Sequence, residues 1–374
     1  MSNLPLTGIR VVEFSHMVMG PTCGMILADL GAEVIKIEPP GGDRTRSLPG
    51  LGIGFFRNFN RNKKSVVLDL KQTTDREQAK ALIKTSDVVV ENFRPGLMQE
   101  WGLDYEQLKA DNPQLIYASN KGFLPGPYEH RLALDEVVQM MGGLAYMTGP
   151  EGQPLRAGTS VNDIMGGMFA AIGVLAALQQ RHKTHQGQEI QSALFENCVF
   201  LSSQHMQQFA MSGAIPPPMP NRVSAWSVYD VFTVKNSEQV FVAAVSERQW
   251  LILCEILEAN ELKENPDFAT NATRVAHRAE LLAQLGEYFR HWDKQQLMQK
   301  LEEAGLPYAP IVRPDELWSD PHLLESGGIA AMQDETGAPA QALLLPLLMD
   351  GERLAVRQAL PAIGQHNDEF LKTQ

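Results

Sequence analysis

The sequence predicts an α/β protein with an open, doubly wound, Rossmann-like large domain and a smaller α+β domain. Three observations carry that expectation. From Ile9 onward, short β-branched runs alternate with helical stretches, the pattern of parallel βαβ units. Four of the runs, IRVVEF, EVIKIE, DVVVEN and LIYAS, are apolar enough to be covered on both faces. At 374 residues the chain is long enough for two cores.

Taken in order, IRVVEF reads as the first strand, PTCGMILADLG as the helix behind it and EVIKIE as the second strand. SVVLDL, a charged helix near Glu77 to Lys84, DVVVENF and LIYAS continue the alternation. VNDIMGGMFAAIGVLAALQQRHK is a long helix that either Asn162 or Asp163 can cap, and its basic end suits the C-terminal dipole. Gly166, Gly167, Ala170, Ala171 and Gly173 leave room on it for a close neighbour. Its apolar run is too short, and too closely flanked by charge, for a membrane span, so a buried helix is expected. QEIQSALFENCVFLSSQHMQQFAM is a strand turning into a helix, and the prolines of AIPPPMPNR then make a stiff, extended connector. Beyond it SVYDVFTV and QVFVAAV are expected as strands, and WLILCEILEAN, RVAHRAELLAQLGEYFRHW and KQQLMQKLEEAG as helices. The expected boundaries are 1–212 for the first part of the large domain, 213–225 for a linker, 226–315 for the small domain, and 316–374 for a linker and a return to the large domain.

A formal net charge of -12 repels nucleic-acid backbones and anionic membrane surfaces, so neither is expected as a partner. An anionic ligand then needs a local group of Lys and Arg. The N-terminal MSNLPLTGIRVVEF has no basic stretch ahead of an apolar region. Cys23, Cys198 and Cys254 are too far apart for a disulfide framework or a metal site. The expectation is a cytoplasmic protein with three buried thiols and no metal.

The first strand ends in SHMVMGP rather than G-x-G-x-x-G, which argues against a nicotinamide or flavin site. No Walker A, H-E-x-x-H or G-x-S-x-G sequence is present, so the simplest readings as nucleotide hydrolase, zinc protease or serine hydrolase fall away. What remains are polar residues at predicted strand ends, where open α/β sheets place ligands: His16, Asn92, Arg94 and Lys121. Arg44, Arg46, Arg57, Arg61, Lys63, Lys64 and Lys71 gather around them in sequence, either to meet an anion or as a solvated basic face. Asp135, in RLALDEVVQMMGG, stands just before an apolar helical stretch. It reads as a helix N-cap, or as a desolvated carboxylate able to attack a thioester carbonyl, and the two roles are compatible.

Ten segments in order resemble the class III CoA-transferases, the group that includes formyl-CoA transferase, carnitine CoA-transferase and succinyl-CoA:glutarate CoA-transferase. They are LTGIRVVEFSHMVMGP, LADLGAEVIKIEPPGGDRTR, NRNKKSVVLDL, VVVENFRPG, GLDYEQL, NPQLIYASNKGF, LDEVVQMMGGLAYMTG, AALQQRHKTHQGQ, GLPYAPIV and IGQHNDEFL. The resemblance places the family's catalytic aspartate on Asp135, through the context Asp135, Gln139 and Gly143. It places CoA contacts on Val18, Met19, Leu68, Lys71, Asn92, Phe93, Arg94, Lys121, Gly122 and Phe123.

The resemblance further implies transfer of CoA from an acyl-CoA to a small carboxylic acid through an aspartyl anhydride and an aspartyl-CoA thioester. The acyl-CoA is a substrate, with no permanently bound cofactor, and two chains form an interlocked homodimer. Formyl-CoA transferase has glutamine at the position of Val18, arginines at those of Pro39 and Glu100, and a glycine-rich loop that stretch 213 to 226 lacks. Oxalate-type specificity is therefore not implied. The alternative is an α-methylacyl-CoA racemase on the same fold. Racemases resembling this group carry a histidine directly before the aspartate, where this chain has Leu134. Asp163 matches their second acid, but an acid without its partner cannot serve both faces of a proton transfer.

Overall fold

Six parallel strands build the main sheet of the computed structural model: β1 (Arg10–Phe14), β2 (Glu33–Glu38), β3 (Lys63–Val67), β4 (Val88–Glu91), β5 (Ile116–Lys121) and β6 (Gln188–Ala193). Their order is β3-β2-β1-β4-β5-β6, so the chain winds outward from β1 in one direction and then crosses back to wind outward from β4 in the other. The structure describes residues 4–222 and 224–371. The first residues of the N-terminal stretch, Val223 of the expected linker and the last residues of the tail lie outside the described residues.

Consecutive residues of the central strands serve opposite faces, which is why these runs read as continuously apolar. Val11, Val34, Val88 and Ile116 pack with α1 (Met19–Asp29) on one face, while Val12, Ile35, Val89 and Tyr117 pack with α2 (Thr73–Lys84) on the other. After β5 come α3 (Asp135–Met141), α4 (Val161–Thr184) and, directly from β6, α5 (Leu194–Ser212).

The small residues of α4 let it press onto α1. A Cβ added at Gly167 would stand 2.5 Å from the Met19 carbonyl oxygen, and one at Gly166 would stand 2.4 Å from Met19 Cε. The helix is buried as expected along this face and open along the other. Ala170, Ala171 and Val174 are buried with Gly166 and Gly167, whereas Met168, Ile172 and Leu175 on the remaining face are exposed.

The chain divides into two units, Met1–Asn221 with Pro321–Gln374, and Arg222–Asp320. In the second unit β7 (Val228–Thr233), β8 (Gln239–Ala244) and β9 (Tyr308–Pro310) form an antiparallel sheet in that order. Helices α6 (Glu247–Ile256), α7 (Arg278–Phe289) and α8 (Lys294–Glu303) share one core with it through Leu253, Leu285 and Leu297. The stretch RVAHRAELL is not one helix, because the chain breaks at His277 between a short helix, Asn271–Ala276, and α7.

The tail of the first unit runs beside β3, the outermost strand. Ser65 N–H donates to His366 Nδ1 and Val67 N–H to Asn367 Oδ1, while His366 N–H donates back to Ser65 O. Backbone groups that an edge strand would leave open are thereby paired.

Candidate active site

The strand order sets the switch point between β1 and β4, whose carboxyl ends are neighbours. Asn92, leaving β4, clamps the chain leaving β1. Its Oδ1 accepts from His16 N–H at 3.0 Å and its Nδ2 donates to His16 O at 2.8 Å. The His16 ring lies 5.5 Å from that of Phe93, and burial holds its imidazole below the ordinary value.

The other carboxyl ends carry the remaining residues singled out above. Val18 packs with Met25 and Phe59, Leu68 with the α2 face, and Met19 and Phe123 with Val138 and Cys198. These four side chains belong to cores, so what they can offer a ligand is backbone. Gly122 admits no Cβ, which would stand 2.5 Å from that of Ala133. Lys121 donates to the buried Glu91 carboxylate at 2.6 Å, and Arg94 is exposed with Glu100 at 2.9 Å. Lys71 is exposed.

The basic group is mostly not a ligand surface. Arg61 is buried on Asp29, Lys63 on Glu13 and Arg46 on Glu38, while Lys64 and Arg57 are paired with Glu33 and Asp334. Burial lowers the Lys63 ammonium to about 8, against the pull of Glu13. Arg44 and Lys71 alone of the seven are exposed without an ion pair among the described residues.

Asp135 is the first residue of α3, only 8% exposed, and not its cap. Leu134 takes the cap position in extended backbone. The Asp135 carboxylate caps α4 instead: Oδ2 accepts from the N–H groups of Asn162 at 2.8 Å and Asp163 at 3.2 Å. Neither Asn162 nor Asp163 caps α4 with its own side chain, and Ser160 at the cap position makes no side-chain bond either. A carboxylate brought in from α3 satisfies those orphan amides and faces the positive end of the helix dipole.

Gln139, one turn along α3, donates to Asp135 Oδ1, and its Oε1 accepts from Ala157 N–H at 2.7 Å. Arg156, in the same loop as Ala157, places Nη2 3.6 Å from Asp135 Oδ1. Val138 packs on Met19 and Phe123, which ties the start of α3 to the ends of β1 and β5. Burial, and then the Asp135 carboxylate, push the neighbouring Asp163 up to about 7, with Arg156 pulling the other way.

The model of CoA-transferase family III matches residues 6–367. The chain belongs to this family. The succinate–glutarate CoA-transferase of Agrobacterium fabrum is 34% identical over 98% of this chain and 95% of its own length. The succinyl-CoA:mesaconate CoA-transferase of Haloarcula marismortui is 33% identical, again covering 98% and 95%. Among solved structures, a CaiB/BaiF family protein from Brucella suis superposes with a TM-score of 0.89 at 34% identity, covering 98% of each chain.

Within this CoA-transferase, the structure gathers Asp135, Gln139 and the start of α4 with the chain ends that carry Met19 and Phe123. Lys71 and Arg94 follow the carboxyl ends of β3 and β4; the Lys71 backbone N–H donates to Asp69, and the Arg94 guanidinium pairs with Glu100. Sequence reasoning missed Arg156. It sits in an irregular loop, where no periodicity marks a residue as facing another element.

Proposed function

We propose that the chain transfers CoA from succinyl-CoA to a second small dicarboxylate through covalent intermediates on Asp135. The observation that carries this reading is the holding of one buried carboxylate by two backbone amides and the Gln139 amide. Both curated relatives described above are named for succinate or succinyl-CoA and a second dicarboxylate, which supports the substrate class.

Asp135 attacks the thioester carbonyl, and an acyl-aspartyl anhydride forms as CoA leaves as thiolate. The thiolate then attacks the aspartyl carbonyl to give an aspartyl-CoA thioester and the free donor acid. The acceptor carboxylate reverses the sequence. Whenever the Asp135 carbonyl becomes tetrahedral, the Asn162 and Asp163 amides already lie where charge on Oδ2 develops. In this reading CoA lies along the carboxyl ends of β1, β3, β4 and β5, met by Val18, Met19, Leu68, Lys71, Asn92, Phe93, Arg94, Lys121, Gly122 and Phe123. It comes and goes as substrate, and the working form is an interlocked homodimer.

The test is mass spectrometry of the Asp135 peptide after incubation with succinyl-CoA and quenching with hydroxylamine. A hydroxamate on Asp135 is expected, and Asp135→Ala should lose about three orders of magnitude or more in transfer rate. An unmodified peptide, or a variant as active as the parent, would remove the covalent mechanism.

A further inference from the structure

The Arg156 guanidinium stands beside the candidate nucleophile without a hydrogen bond to any of the described residues. Its Nη2 is 3.6 Å from Asp135 Oδ1 and its Nη1 is 3.6 Å from Glu136 Oε2, both beyond hydrogen-bond range. Its Nε is buried with no partner among the described residues. Arginine donates through five N–H groups in a planar fork that matches a carboxylate, and leaving a buried donor unmet is costly. Asp135 cannot satisfy the fork, because its oxygens are turned to the α4 amides and to Gln139. A cation is therefore held next to the reacting carbon with its hydrogen-bonding capacity unspent.

We propose that Arg156 receives the carboxylate of the free acid, the one that leaves when CoA moves onto Asp135 and enters when CoA moves off. This rests on the acyl-aspartate reading above. In the free enzyme Asp135 is an anion and Arg156 balances it. Once Asp135 carries CoA as a thioester its charge is gone, and on the Nη2 side the guanidinium faces a neutral group, with the exposed Glu136 carboxylate remaining on the Nη1 side. The incoming acid then supplies the missing negative charge at the position from which it must attack. One of its oxygens forms a bond to Asp135 Cγ, the C–S bond breaks, and the electron pair leaves on the CoA sulfur with no proton transferred. When the anhydride is later cleaved by thiolate at the acyl carbonyl, Asp135 regains its charge and its balance with Arg156. The arginine thus exchanges one carboxylate partner for another in step with the covalent state of the enzyme. Glu136, which is exposed, stands on the other side of the fork at 3.6 Å from Nη1.

The experiment is exchange of isotope-labelled succinate into succinyl-CoA by the full-length wild type, Arg156→Gln and Arg156→Lys, with each substrate varied in turn. Arg156→Gln is expected to raise KM for succinate about tenfold or more while KM for succinyl-CoA stays within about twofold. Arg156→Lys keeps the charge but not the fork, and should fall between Gln and the parent. Guanidinium ion added to Arg156→Gln should restore part of the exchange. An unchanged KM for succinate in both variants, or an equal rise for both substrates, would overturn the assignment. The hydroxamate test on the wild type separates the two readings. Without an Asp135 adduct the acyl-aspartate reading fails and carries this one with it, whereas an adduct with an unchanged succinate KM sinks Arg156 alone.

Discussion

Asp163 shares the first turn of α4 with the amide that binds Asp135 most closely, and its carboxyl has risen to about 7 through burial and the nearby Asp135 charge. Between its ordinary value and about 7 the folded protein holds a proton that the unfolded chain has released. Stability therefore falls as pH rises through that window and levels off above it. Asp163→Asn cannot ionise and escapes the loss. It should unfold at higher urea than the parent at pH 8, by on the order of 2–4 kcal/mol, and the gap should close toward pH 4. A variant less stable than the parent at pH 8 would show that the Asp163 charge is favourable where it stands. At this scale the sequence singled out Asp135 and little of what surrounds it. Gln139 entered only through the family resemblance, and in the structure it lies one helical turn from Asp135 and donates to it. Arg156 and the α4 amides arrive by tertiary folding from more than twenty residues away, and no local pattern encodes them.

The contact of α4 with α1 is where an element's sequence shows most directly what it must touch. Gly167→Ala would drive a methyl group to 2.5 Å from the Met19 carbonyl oxygen, a backbone atom at the start of α1. We expect a loss of about 1–3 kcal/mol in chemical denaturation. Gly286→Ala on α7 is the control: nothing lies within 4 Å of the added Cβ, and helix propensity alone should stabilise by about 1 kcal/mol. If the two variants shifted alike, the packing account of the glycines would be wrong. The strands were legible because both-face burial leaves an unbroken apolar run, and β1, β2, β4 and β5 occupy the middle of the sheet. The charged residues among them misled. Arg61 and Asp29 are 32 positions apart, so sequence alone could not tell a buried ion pair from a basic surface. The three cysteines were read correctly as buried thiols. Burial pushes the Cys254 thiol up to about 12 and raises Cys198 as well.

For the whole molecule, the exposed side of α4 and α5 sets the clearest expectation. Met168, Ile172, Phe200, Met206 and Phe209 are all exposed, and the rings of Phe169 and Phe200 meet edge to face between the two helices. A face of this kind on a chain with a net charge of -12 calls for a covering partner, and a second copy is the proposed one. Light scattering on the purified protein should give twice the 41.4 kDa chain mass, and the species should persist on dilution to nanomolar concentration. A monomer at micromolar concentration would leave that face without its proposed partner.

The tail beside β3 has a consequence in time. Ser65 and the histidine that pairs with it are 301 positions apart, so the later partner is made long after the strand it covers. At typical ribosomal rates β3 waits roughly 15–60 s for His366 and Asn367 to emerge. Throughout that interval the growing chain has an outer strand with open N–H and C=O groups, a template for pairing with a neighbouring nascent chain. Chaperone occupancy is thus most needed over the stretch of translation between β3 and the tail.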